Sequence, residues 1–91
     1  MIFEWDEKKA HANKKKHDVS FDEAVTVFRD PLSITVADSE HSETEYRFID
    51  IGMSDQGRLL VVSYTEKASR IRIISSRLAL PVERKAYEEG N

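Results

Sequence analysis

The chain has 91 residues, no cysteine, and 14 Lys and Arg against 17 Asp and Glu, for a net charge of −3. That length suits one domain with a real core and little surplus burial, and the missing cysteines exclude a disulfide scaffold, a thiolate zinc site and a Cys nucleophile. No apolar run approaches the roughly 20 residues that span a bilayer, and the opening Met1-Ile2-Phe3-Glu4-Trp5-Asp6 lacks the features of a secretory signal, so a soluble cytoplasmic protein is expected.

In chain order, Ile2-Phe3-Glu4-Trp5 is a candidate short edge strand. Asp6 is placed to cap a helix running from Glu7 to Lys16, with Lys14, Lys15 and Lys16 at the negative end of its dipole and an end near His17-Asp18. Ser20-Phe21-Asp22-Glu23 fits a capping box with Val19 as staple, and Phe21, Ala24, Val25, Val27 and Phe28 supply a buried face until Asp30-Pro31 stops the second helix. The period then changes. Leu32–Val36 alternates as a strand, 37–43 is a polar loop, and Glu45–Met53 is a second strand. Asp55-Gln56-Gly57 turns into Arg58–Thr65, a third strand apolar on both faces and therefore central. Lys67-Ala68-Ser69 turns into a strand from Arg70. Pro81 suits the first turn of a last helix through Glu89, with Gly90 at its end. The expected class is α+β: two N-terminal helices, a four-stranded antiparallel sheet and a C-terminal helix, in one domain over 1–91.

Charge is uneven. Residues 1–45 hold six basic against eleven acidic side chains and residues 46–91 eight against six, so the halves carry −5 and +2. In Arg70-Ile71-Arg72-Ile73 strict alternation puts two guanidinium groups on one strand face and two Ile on the other. Arg matches phosphate oxygens two at a time, so Arg held on a sheet is a device for gripping a nucleic-acid backbone; the plainer reading is a solvated strand face.

The three histidines form no His-x-x-x-His pair, and no Gly-x-Ser-x-Gly or glycine-rich phosphate loop occurs, so neither a metal site, a cofactor nor nucleotide-dependent chemistry is expected. The remaining basic groups, with His17, Glu45, Trp5 and Tyr87, suit RNA cleavage. Attack of a ribose 2′-oxygen on its phosphate needs a base, cations for the developing phosphorane and an acid for the leaving 5′-oxygen. Arg supplies the cations, a histidine that titrates near neutrality moves protons, and an aromatic ring stacks a base. Each residue also has a plain structural role to set against this: core packing for Trp5 and Tyr87, a helix C-cap for His17, surface pairing for Glu45 and Arg47. A non-catalytic domain that binds nucleic acid or an acidic partner through the basic face, and a purely structural domain, stay open on these grounds.

Phe3-Glu4-Trp5-Asp6, Lys9-Ala10, Asn13, Lys16-His17, Val19-Ser20-Phe21, Glu23-Ala24 and Val27-Phe28-Arg29-Asp30-Pro31 resemble the opening of the BrnT family of type II toxins. Glu45, Arg47-Phe48, Ile51-Gly52, Gly57–Val62, Arg70–Arg77, Glu83-Arg84 and Tyr87-Glu88 resemble the rest of its pattern. The resemblance implies a RelE-like fold, a ribonuclease that arrests translation, and a ribbon-helix-helix antitoxin of the BrnA kind, with operator DNA bound only through the complex. Carried over by position, it implies that Arg47, Arg58, Arg70, Arg72, Arg77, Lys16 and His17 face RNA, with Trp5 and Tyr87 as support or stacking groups. On the chemistry above, Arg72, Arg77, His17 and Arg47 are the candidates for catalysis and Arg58, Arg70, Lys16, Trp5, Tyr87 and Glu45 those for RNA contact. Three positions depart from the pattern: Asp18 replaces a Gly and must tolerate a left-handed backbone, Ser76 stands where Ala is common, and Leu80-Pro81 replaces a polar helix entry.

Overall fold

The computed structural model describes residues 1–38 and 46–90, and the element order is β1 (Ile2–Glu4), α1 (Glu7–His17), α2 (Phe21–Thr26) with a 3₁₀ turn (Val27–Arg29), β2 (Ile34–Ala37), β3 (Arg47–Met53), β4 (Leu59–Lys67), β5 (Arg70–Leu78) and α3 (Pro81–Glu89). The sheet has five strands in the order β1-β5-β4-β3-β2, so the expected four-stranded meander is corrected by one strand. The addition is β1, which pairs parallel to β5 (Phe3 opposite Ile71) and makes the sheet mixed. Three residues are too few to show a period, which is why Ile2–Glu4 reads only as a candidate strand in the sequence.

Both N-terminal caps form. Asp6 Oδ1 accepts from Lys9 N at 3.1 Å and Ser20 Oγ from Glu23 N at 3.0 Å. The reciprocal half of the Ser20 capping box is replaced by other bonds, because the Glu23 carboxylate turns inward to Ser54 and Arg58. Helix α1 ends where Asp18 enters the left-handed region at φ 58°, its N–H donating to Lys14 O and its carboxylate pairing with Lys14 Nζ at 2.9 Å. The second helix is shorter than its apolar pattern suggests: after Thr26 the chain tightens into the 3₁₀ turn and leaves it at Asp30. Asp30 Oδ1 then accepts from Leu32 N at 2.9 Å, a local turn that delays β2 to Ile34.

Strand β4 is central and buried on both faces, as its sequence predicts. Leu60, Val62 and Tyr64 meet Val19, Phe21, Ala24 and Val27 under α1 and α2, together with Ile71 and Ile73. Phe28 stacks edge-on against Tyr64 at 4.9 Å and tilts against Phe3 at 5.1 Å, joining β1 to the same core. On the other face Leu59, Val61 and Ile51 form a smaller cluster that Tyr87 of α3 helps cover. Burying side chains such as Phe21, Leu60 and Ile73, each no more than 2% exposed, contributes about 1.5–3 kcal/mol apiece over leaving them in water. Among the described residues, α3 covers only part of this second face.

Candidate active site

Strand β5 carries three arginines, and a bulge decides which face they share. Tyr64 pairs with Ile73 and Ser63 with Ser75, so Ile74 is an inserted residue. Arg77 follows Arg72 by five positions, an odd spacing that in a regular strand would put them on opposite faces. The insertion shifts the phase by one. Arg72 therefore pairs with Thr65 and Arg77 with Val61, two positions on the same face of β4. Arg70 lies opposite Lys67 on that face, and Arg47 of β3 lies opposite Thr65.

Four arginines thus share the face away from α1 and α2. Arg47 and Arg72 flank Thr65 across three adjacent strands, about 10 Å apart at Cα from the strand spacing. Glu4 of β1 is opposite Arg72 on the far side, and its carboxylate is 3.8 Å from Arg70. Arg72 is exposed, and among the described residues no ion pair involves it. A cavity of about 320 Å³ opens here between Glu4, Thr65, Lys67, Arg70 and Arg72.

Arg77 is on the same face but already committed. Its Nη1 and Nη2 donate to the two oxygens of Glu83 at 2.7 and 2.8 Å, a bidentate bridge to the first turn of α3. The Arg77 guanidinium holds the Glu83 carboxyl below the usual range, and Glu83 Oε1 also accepts from Leu80 N at 2.8 Å. Glu83 thereby supplies half of a capping box at a helix start where Leu80 offers no acceptor.

The other candidates are on the helix side. His17 ends α1 half-buried and shares with Lys9, Asn13, Lys16, Ile74 and Ser75 a cleft of about 240 Å³. Ser75 is opposite Ser63, on the arginine face, so this cleft is at the rim where the helix layer meets that face. Ser75 is three positions along β5 from Arg72, roughly 10 Å of strand.

Arg58 is elsewhere. Its Nε donates to Glu23 Oε2 at 2.9 Å, Nη2 makes a very short contact with Oε1, and Nη2 also reaches Asp18 O at 2.9 Å. Trp5 packs edge-on against Phe21 at 5.9 Å while its indole N–H donates to Glu7. Tyr87 donates to Asp30 Oδ2 at 2.7 Å, a bond that pushes its phenol up to about 12. The structure therefore groups Arg47, Arg70, Arg72 and Arg77 on one sheet face and Lys16 with His17 at its rim. It places Arg58, Trp5 and Tyr87 in architectural contacts. Glu45 lies outside the described residues. Sequence reading missed Asn13, Glu23 and Glu83 as organising side chains; the Arg77-to-Glu83 spacing across a helix start is the signal that was present.

Among the described residues no group of three His, Cys, Asp or Glu is placed to hold a metal ion, and no helix is long and apolar enough to cross a membrane.

Helices α1 and α2 on one side of a mixed five-stranded sheet, with α3 and a row of arginines on the other, define a small α+β protein built around a basic sheet face. A family model described as "Ribonuclease toxin, BrnT, of type II toxin-antitoxin system" matches residues 5–83, and the chain belongs to that family of toxins. Its fold is similar to that in a 1.1 Å crystal structure of the Brucella abortus ribonuclease toxin, BrnT, with a TM-score of 0.67 and 20% identity over 88% of this chain and 99% of that one. No curated protein matches the chain.

Proposed function

We propose that this chain is a metal-independent endoribonuclease that cuts RNA by 2′-oxygen transesterification and so inhibits translation in the cytoplasm. The bond between the 2′-oxygen and phosphorus forms as the bond to the 5′-oxygen breaks; one proton leaves the 2′-hydroxyl and one arrives on the 5′-oxygen. The products are a 2′,3′-cyclic phosphate and a 5′-hydroxyl.

The observation that carries this reading is the pair Arg47 and Arg72 flanking Thr65 on the sheet face away from α1 and α2. Two arginines on the strands either side of Thr65 supply charge where the phosphorane becomes dianionic, held on strands and not on loops. His17 is the proton carrier at the rim. Lys16 and Arg70 extend the phosphate track in opposite directions, Arg77 steadies the far end of β5 through Glu83, and Arg58, Trp5 and Tyr87 hold the scaffold under these groups. The partner is a ribbon-helix-helix antitoxin of the BrnA kind that covers the arginine face, and operator DNA is bound through that complex.

The test is cleavage of a defined RNA by the purified chain in EDTA, compared with Arg72→Ala checked for folding. Cleavage that falls about 100-fold or more in the variant supports the reading, in line with removal of one transition-state donor. RNA that is bound in a salt-dependent manner and stays intact would instead make this a binding module.

A further inference from the structure

Asn13 is 7% exposed and is the one buried residue of α1, a helix otherwise dominated by charge. Its carboxamide is engaged on both atoms. Nδ2 donates to Val19 O at 3.0 Å and to Ser76 O at 2.8 Å, and Oδ1 accepts from Ser76 N at 3.1 Å. Strand β1 covers the outer side of β5 only at 70–72, and among the described residues no other strand pairs with that edge. At Ser76 the Asn13 side chain takes that place. A primary amide offers a donor and an acceptor in one plane, as a peptide group does, and so can satisfy both edge groups of one residue.

The location matters for what lies next to it. His17 is one helical turn beyond Asn13 on the same side of α1. The cleft that holds His17 has α1 as one wall and the bulged stretch Ile74–Ser75 as the other, with Asn13 at its base. The bonds to Ser76 tie those walls together. The bond to Val19 O fixes the turn that follows His17, immediately after left-handed Asp18. His17 is thus bracketed on the strand side and on the chain side by a single side chain.

We propose that Asn13 is a positioning residue: its clamp on the open edge of β5 sets His17 against the bulge, and through the bulge against Arg72. The proposal rests on the ribonuclease reading for its kinetic consequence but not for its structural one. An Asn13 that served stability alone would leave the imidazole where it is.

The experiment compares the full chain as wild type, Asn13→Ala, His17→Ala and the double variant, each verified by circular dichroism. Cleavage kinetics are measured on a defined RNA, and the His17 ring by two-dimensional NMR. Asn13→Ala is expected to lower kcat by about tenfold or more with KM little changed, to add nothing in the His17→Ala background, and to displace the His17 ring resonances. Losses that multiply in the double variant, or ring resonances that overlay those of wild type, overturn the proposal. If His17→Ala cleaves like wild type, or the wild type does not cut RNA, the catalytic reading of His17 falls and the ring resonances alone decide on Asn13. Should Asn13→Ala not fold, Asn13→Ser, which keeps a short hydroxyl facing β5, is put through the same comparison.

Discussion

Arg58 closes over both oxygens of the buried Glu23 carboxylate from 35 residues away, and Ser54 Oγ donates to one of those oxygens at 2.7 Å. The Glu23 side chain is 2% exposed and that of Arg58 is 29% exposed, so the two halves of the pair are not equivalent. Removing Arg58 strands a carboxylate that water does not reach; removing Glu23 frees a guanidinium that can turn outward. Arg58→Ala should therefore cost about 3–5 kcal/mol and Glu23→Gln less, measured by urea unfolding.

The same pair gives a pH dependence. The hydrogen bonds from Arg58 hold the Glu23 carboxyl below its ordinary value against the opposing effect of burial. A depressed folded-state pKa stabilises the fold above the unfolded value, and that contribution is lost as pH falls through the folded one. The difference between wild type and Arg58→Ala should be largest at neutral pH and shrink on acidification past the ordinary Glu range.

Much of this architecture is legible in the sequence, where periodicity and caps carry it. Leu59 to Val62 declares a central strand because four apolar residues in succession fill both faces. Asp6 and Ser20 declare helix starts because their side chains act locally. What stays illegible is non-local or phase-dependent. Ile73-Ile74 reads equally well as strand or as bulge, so the common face of Arg72 and Arg77 emerges only from the pairing with Ser63 and Tyr64. Glu23 fits a capping box by spacing, and nothing in the local sequence says that Arg58 will draw it inward. Basic residues at Arg58 and Arg72 look alike in sequence; a partner across the fold separates them.

Asp50 is a second buried carboxylate, and its sign is opposite. It is 4% exposed, and Oδ1 accepts from Thr35 Oγ1 at 2.7 Å and Tyr64 OH at 2.8 Å. Burial outweighs those two bonds and raises its pKa. An acid with a raised folded-state pKa stabilises the fold most when protonated in both states; stability declines as pH rises through the unfolded value. Asp50→Asn keeps an acceptor for both hydroxyls without a charge. It should gain on the order of 1 kcal/mol over wild type at neutral pH, with the gain vanishing below the ordinary Asp range. Thermal unfolding of both proteins across that range checks it.

Gly52 is required by close approach. A Cβ there would lie 2.7 Å from Val27 Cγ1 and 2.9 Å from Ser33 Cβ, where the 3₁₀ turn crosses β3. Val27 is fully buried and cannot swing aside. Gly52→Ala should cost about 1–3 kcal/mol as overpacking, seen as a lower urea midpoint with unchanged slope.

Ser76 should respond in the other direction. It is 1% exposed, and its Oγ has no hydrogen-bond partner among the described residues, although its backbone N–H and C=O are held by Asn13. Ser76→Ala removes an unsatisfied buried hydroxyl and leaves that clamp intact. A gain of about 1 kcal/mol in unfolding free energy is expected.

The last prediction separates Arg72 from Arg77, which share a face and differ in their neighbours. The Glu83 carboxylate neutralises Arg77 in place, whereas none of the ion pairs among the described residues involves Arg72. A phosphate that binds at Arg72 gains a full charge and releases a counterion; one that approaches Arg77 meets a charge already matched. Binding of a single-stranded RNA made non-cleavable by 2′-deoxy substitution, followed across a salt series, reports this directly. Arg72→Ala should flatten the slope of log K against log salt by about 0.7, the value for one phosphate contact on a single strand. Arg77→Ala should leave the slope nearly unchanged and lower stability instead, because Glu83 loses its bidentate partner at the start of α3. Equal slope changes in the two variants would show that Glu83 releases Arg77 to the RNA on binding.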